Sequence, residues 1–244
     1  MKDVRKNIEI ITPVYNEEKH IYRTIKDFFN EYVDSSFSIS FIISEDGSTD
    51  NSINIIKDLQ KTFDIKLITS PQRKNYTDAV LLGLRHSKAE IISFVDSDGQ
   101  YDPKDLKRLY ENLEPGKVVI GYRHPRVDNI FRLTISNSFK RLYEATLKIR
   151  LKDPSCGYFM AYRKDIQEII DKENIGFLKE GFWWEFYAWC IEFKLNIVEI
   201  PINHFNRNYG NTVVFKFSKI PGIAYRNIAG LFKLKKLISK SKNL

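Results

Sequence analysis

Several things are scarce in this 244-residue chain. It has two cysteines, Cys156 and Cys190, which is too few for a disulfide framework and the wrong spacing for a zinc site. They read as buried or idle thiols of a reducing cytoplasm. No apolar run approaches the ~20 residues of a membrane-spanning helix, and no apolar stretch follows Met1 as a secretory signal would. Acidic residues are missing altogether from 201–244, which carries nine Lys or Arg. Residues 1–200 hold the remaining 30 basic residues and all 31 acidic ones, so a near-neutral body ends in a basic tail. A neutral body argues against a broad nucleic-acid track, while a basic tail calls for a local anionic partner such as phosphate or lipid headgroups. Apolar residues at 43% exclude wholesale disorder.

The first half alternates between strand-like and helix-like segments. Residues 8–14, 38–44, 65–69, 90–95 and 117–121 are short apolar runs. Between them, 17–33, the segment after Thr49 and Asp50, 77–87 and the segment after Pro103 have helical spacing or helix-start signals. Such alternation predicts an α/β fold with a mostly parallel sheet. Ligands of open parallel sheets bind beyond the carboxyl ends of the strands. Polar clusters stand at those ends: Asn16 and Glu17, then Glu45 and Asp46, then Asp96 and Asp98.

The last cluster suits a hard cation. Asp96, Asp98 and Gln100 alternate, so in an extended segment they project to one side. Oxygen ligands of this kind match Mg²⁺ or Mn²⁺, which use one or two carboxylates and complete their shell with water and phosphate. An isolated Asp-Ser-Asp is equally an ordinary solvated turn; its position after an apolar strand, beside two other acidic clusters, sets it apart. Glu45 and Asp46 can accept hydrogen bonds from a ribose or a base, although their segment is also turn and cap chemistry.

In this order and spacing, PVYNEE (13–18), SEDGSTD (44–50) and FVDSDGQYDP (94–103) resemble the family 2 glycosyltransferases of GT-A, Rossmann-like fold. DSDGQ with its trailing Asp-Pro is similar to the dolichyl- and polyprenyl-phosphate sugar transferases among them. DPSCGYF (153–159) and VEIPINHFNRNYG (198–210) follow the same branch, and the resemblance covers residues 8–212. It implies that Pro13, Tyr15, Glu17, Glu45, Asp46 and Asp96 bind the nucleotide. Asp96, Asp98 and Gln100 would hold Mg²⁺ or Mn²⁺. Arg207 would meet a diphosphate or acceptor phosphate, with Arg123 and Arg132 cradling the acceptor phosphate. A phosphate acceptor needs no general base; a sugar hydroxyl would need one, and Glu185 and Asp153 are the candidates. The loop 73–80 departs from the family pattern, placing Tyr76 and Thr77 where relatives usually have a glycine soon after Asn.

The expected activity is therefore inverting transfer of a sugar from a UDP- or GDP-sugar to a lipid-linked phosphate, at the cytoplasmic face of a membrane. Transfer to a hydroxyl of a surface polysaccharide or glycolipid is the alternative. A nucleotidyltransferase would want a Gly-rich, basic loop after the first strand, where this chain is acidic. A non-catalytic anion binder is the remaining rival. Residues 1–221 are expected to form the GT-A domain, and 222–244 a basic amphipathic extension that lies on anionic lipid. In that helix Ile223, Ala224, Ile228, Leu231, Phe232, Leu234 and Ile238 would share the apolar face.

Overall fold

A computed structural model describes residues 5–126, 130–173, 175–206 and 220–241. Its elements are β1 (Asn7–Val14), α1 (Ile21–Glu31), β2 (Ser38–Glu45), α2 (Ser52–Leu59), β3 (Ile65–Thr69), α3 (Tyr76–His86), β4 (Ile91–Phe94) and α4 (Asp105–Glu111). After them come β5 (Lys117–Arg123), α5 (Ile130–Leu147), β6 (Phe159–Tyr162), α6 (Arg163–Ile170), α7 (Phe182–Glu192), β7 (Asn196–Ile202) and α8 (Ile220–Ser241). The seven strands form one sheet in the order β3-β2-β1-β4-β6-β5-β7. All neighbours are parallel except at β6, which is antiparallel to both β4 and β5.

The near-continuous burial of β1, β2 and β4 follows from helices covering both faces, which is the usual state of a parallel sheet. On one face α1, α2 and α4 bury Ile25, Phe28, Ile56 and Leu109 against Ile10, Phe41 and Ile43. On the other, α3, α5, α6, α7 and α8 pack against Ile11, Ile42, Phe94 and Phe159. α3 lies so close to the sheet that a Cβ at Gly83 would stand 2.4 Å from Cγ2 of Ile11.

α1 begins at Ile21, four residues later than its spacing predicts, because residues 16–18 are held by the loop before α2 and by the first residue of that helix. Ser52 Oγ accepts from the Glu17 N–H at 2.9 Å, and Asp50 from the Glu18 N–H at 3.1 Å. These contacts fix the chain leaving β1 beside the chain leaving β2.

α8 corrects the expected helix face. Leu231 and Leu234 are fully buried against the body, with Leu237 and Ile238 packed beside them. Gly230 rests on Leu178. The Arg226 guanidinium pairs with Glu180, and the Lys233 ammonium lies 3.9 Å from the Phe177 ring centre. Ile228 and Phe232 point outward instead, together with Tyr225; the three are 39%, 54% and 75% exposed. A 100° step per residue separates these two apolar stripes, which sequence alone merges into one broad face.

Candidate active site

Because β1, β2, β4 and β5 all run the same way, their carboxyl ends lie along one edge. Tyr15 follows β1, Asp46 follows β2, Asp96 and Asp98 follow β4, and Arg123 ends β5. The acidic pair thus sits in the middle of the edge, with one corner on each side.

The first corner joins the turn after β2 to the loop before α3. Asp46 is buried and accepts from the Lys74 N–H at 2.8 Å. Burial raises its pKa, opposed by that N–H and by the Arg73 cation. Arg73 lies over the Tyr15 ring, 3.7 Å from its centre. The two loops touch through backbone: a Cβ at Gly47, whose φ is +75°, would be 2.7 Å from the Arg73 nitrogen. Pro13 is buried beneath. Glu45 is turned inward and 1% exposed, with Oε1 accepting from the Ser48 N–H. Its carboxylate therefore shapes the turn that presents Asp46.

At the centre, Asp96 and Asp98 are half-buried. Thr24 Oγ1 donates to the Ser97 carbonyl at 3.1 Å, anchoring the segment to α1. Gln100 donates its side-chain amide to the Phe205 carbonyl at 2.9 Å, and Phe205 N–H donates to the Gln100 carbonyl at 2.8 Å. Burial, then the charge of Asp98, pushes the Asp96 pKa up to about 7; the hydroxyls of Tyr76 and Tyr101 and the Arg123 cation oppose this. Two carboxylates crowded in this way are what a divalent cation relieves, and they offer only hard oxygen, whereas the Gln100 side chain is engaged by the Phe205 carbonyl. Among the described residues no group of three or more His, Cys, Asp or Glu could hold a metal. A cation here would complete its shell with water and phosphate, as Mg²⁺ commonly does.

At the second corner Arg123 is committed. Its fork donates to both Asp153 oxygens at 2.7 and 2.9 Å and to Ser155 Oγ at 2.6 Å. Both side chains are buried, and the cation holds the Asp153 carboxyl well below the usual carboxylate range despite burial. Arg126 stands 3.7 Å from Asp153 and donates to Ser136 Oγ at 3.2 Å. Arg126 carries no signal in the sequence beyond its nearness to Arg123.

Glu185 lies away from solvent on α7, a helix apolar on all sides. Its oxygens accept from the Gly176 and Leu178 N–H groups at 2.9 and 3.0 Å, which fastens the loop before α7. Burial raises its pKa. The Glu17 backbone is in the β1 exit described above. Arg207 lies outside the described residues, as does the side chain of Arg132, whose backbone is in α5. Two further side chains reach the centre from the α3 and α7 starts. Tyr76 donates its hydroxyl to Asp96 Oδ1, and the Trp183 indole N–H donates to Tyr76. Trp183 hides in a run of aromatics that reads as core, and most of that run is core.

Comparison with known proteins gives the chain's family and a shared fold. The chain is 24% identical over 225 residues to the undecaprenyl-phosphate 4-deoxy-4-formamido-L-arabinose transferases of Klebsiella pneumoniae (strain 342) and Salmonella choleraesuis (strain SC-B67). The match takes in 90% of this chain and 66% of each relative's length. Among solved structures, glucosyl-3-phosphoglycerate synthase from Mycobacterium tuberculosis, in complex with Mn²⁺, UDP and phosphoglyceric acid, superposes with a TM-score of 0.71. That likeness is 17% identical in sequence and covers 94% of this chain and 78% of the other, and it shows a shared fold. The family model described as glycosyl transferase family 2 matches residues 9–170, a span that holds the edge from Tyr15 to Asp153, and the chain belongs to that family.

Proposed function

We propose that this protein transfers a sugar from a nucleotide-sugar to a polyprenyl phosphate at a membrane surface, using a divalent metal. The observation that carries the reading is the Asp96–Asp98 pair at the end of β4, set between an acidic-aromatic corner and an arginine corner on one sheet edge. Asp46, Pro13 and Tyr15, with Arg73, take the nucleoside. Asp96 and Asp98 hold Mg²⁺ or Mn²⁺. The metal, when bound, offsets the charge that develops on the departing nucleoside diphosphate. Arg132 and Arg207 are assigned to phosphates by resemblance, as is inversion at the anomeric carbon. Arg126, beside the Arg123–Asp153 pair, adds a cation to the acceptor corner.

The state of the two candidate bases supports a phosphate acceptor. Asp153 is locked to Arg123, and Glu185 is sealed against loop backbone. A phosphate nucleophile is already ionised and needs neither. The names of the relatives support the same acceptor class. A lipid surface is supported by α8, whose outward stripe of Tyr225, Ile228 and Phe232 is interleaved with Lys235, Lys236 and Lys240. Apolar side chains among lysines suit an anionic interface, on the cytoplasmic face in this reading. Among the described residues no helix is long and apolar enough to cross a membrane.

The test is a panel of UDP- and GDP-sugars offered with Mn²⁺ or Mg²⁺ to the full chain on vesicles carrying polyprenyl phosphate. Metal-dependent formation of a polyprenyl-phosphate sugar is expected with at least one donor. Transfer only to a glycan hydroxyl, or equal transfer in EDTA, would overturn the reading.

A further inference from the structure

The phenol of Tyr76 is tied into a short relay that ends on the first carboxylate of the acidic pair. Trp183 Nε1 lies 2.9 Å from the Tyr76 oxygen, and that oxygen lies 2.9 Å from Asp96 Oδ1. The direction of the relay is fixed by chemistry. An indole N–H can only donate, so Tyr76 accepts from Trp183. Its own proton is then directed to Asp96, which accepts. Three elements meet in this way: the start of α7, the start of α3 and the end of β4.

The relay is built on rigid parts. Asn75 caps α3, its side chain accepting from the Asp78 N–H at 3.0 Å. Thr77 Oγ1 donates to the Lys179 carbonyl at 2.9 Å, and Lys179 pairs with Asp78 at 2.9 Å. Phe94 packs between the rings, 4.4 Å from Trp183 and 6.4 Å from Tyr76, centre to centre. Part of the Tyr76 side chain reaches the surface, while its hydroxyl is held by Trp183 and Asp96.

We propose that Tyr76, oriented by Trp183, is a positioning residue for Asp96, holding Oδ1 so that the other oxygen faces the metal and the diphosphate. The inference rests on the metal and nucleotide reading above. Groups that orient a metal-binding side chain typically change metal affinity by about 10–100-fold when removed. Tyr76→Phe keeps the ring and removes only the hydroxyl. Trp183→Phe removes the donor that orients the hydroxyl.

The experiment measures Mn²⁺ binding to the full chain by the loss of the free-ion electron paramagnetic resonance signal, with UDP and with GDP. Nucleotide affinity in EDTA is measured in parallel. In wild type, Mn²⁺ uptake that depends on one of the nucleotides is expected; its absence with both would overturn the metal reading itself. Given that uptake, Tyr76→Phe should weaken it about 10-fold or more. Affinity for the metal-free nucleotide should stay within about two-fold, because the ring and the nucleoside corner are untouched. Trp183→Phe should shift Mn²⁺ affinity the same way by less, and it carries the test should Tyr76→Phe not fold. Unchanged Mn²⁺ affinity in the folded variant, or an equal loss of metal-free binding, would overturn the positioning role.

Discussion

The sheet edge and α8 are both places where polar and apolar residues meet at a surface, but they are built by different rules. At the edge, strand direction alone sends Tyr15, Asp46, Asp96 and Asp98 to one side. The strands they follow are mostly apolar and buried on both faces, with Thr12, Ser40, Ser44, Glu45 and Ser93 as buried polar members. On α8, every residue has a helical neighbour, and which stripe turns inward is settled by what the body offers. The body offers Leu178, Phe177 and Glu180, and these choose Leu231, Gly230, Lys233 and Arg226. An edge of this kind is specified locally, and a helix face of this kind is specified by its partner.

The largest expected effect lies at the edge. Asp98 is half-buried and belongs to no apolar cluster, so Asp98→Ala should leave the melting temperature within a few degrees of wild type. Transfer should fall by about 10³-fold or more, or about 4 kcal/mol on the barrier. A metal-dependent rate assay beside a thermal melt checks both halves. Near-normal turnover would break the claim that the strand ends carry the chemistry.

Arg123 separates position from purpose. It stands at a strand end like Asp98, but its fork is spent on Asp153. Arg123→Ala strands a buried carboxylate and should cost about 3–4 kcal/mol of stability at neutral pH by denaturant titration. The pH dependence has a definite sign. In wild type the Asp153 carboxyl is held well below the usual range, so its contribution is present above about pH 4 and is lost only as pH falls through the depressed value. Without Arg123, burial is opposed only by Arg126 and Ser155, so the Asp153 pKa should rise, and the variant should regain stability as Asp153 takes a proton. The gap between wild type and variant should therefore narrow between pH 7 and pH 4. A gap independent of pH would mean that the ion pair is not what Arg123 contributes.

These two residues also mark what the sequence can and cannot reveal. Strand ends, the DSDGQ segment and the parallel alternation of β1 to β4 are legible because periodicity and turn residues act over a few positions. The antiparallel insertion of β6 is not, since its partners β4 and β5 are distant in the chain. Nor is the pairing of Arg123 with Asp153, 30 residues apart. Trp183 shows the same limit. It stands in a run with Phe182, Trp184, Phe186, Tyr187 and Trp189, and only the fold singles out its indole N–H as the one that meets Tyr76. Tyr76 itself left a trace, as the departure from the family's glycine-containing loop.

On α8 the inward stripe should behave as core. Leu231 is fully buried, and Leu231→Ala should cost about 2–3 kcal/mol, read as a lower denaturant midpoint with an unchanged slope. A loss under about 0.5 kcal/mol, the range of surface changes, would show that the helix does not dock as described.

The outward stripe gives the smallest effect on stability and the sharpest test of the contrast. Tyr225 and Phe232 lie on the solvent side, seven residues apart, which returns them to the same face after two turns. Replacing both by serine removes apolar surface already in water, so stability should change by no more than about 0.5 kcal/mol. The lysines remain, and with them the attraction to anionic lipid, about 1 kcal/mol for each basic residue near the surface. What disappears is the part that enters the interface. Sedimentation with anionic vesicles at low salt should show weaker binding of Tyr225→Ser/Phe232→Ser than of wild type. The residual binding should also be more sensitive to salt, because screening acts on charge and leaves apolar insertion alone. Donor hydrolysis in solution should be unchanged, while transfer to a vesicle-borne acceptor slows. Equal vesicle binding by both proteins would mean that the exposed stripe is idle surface, and the division of α8 into a docking side and a lipid side would fail.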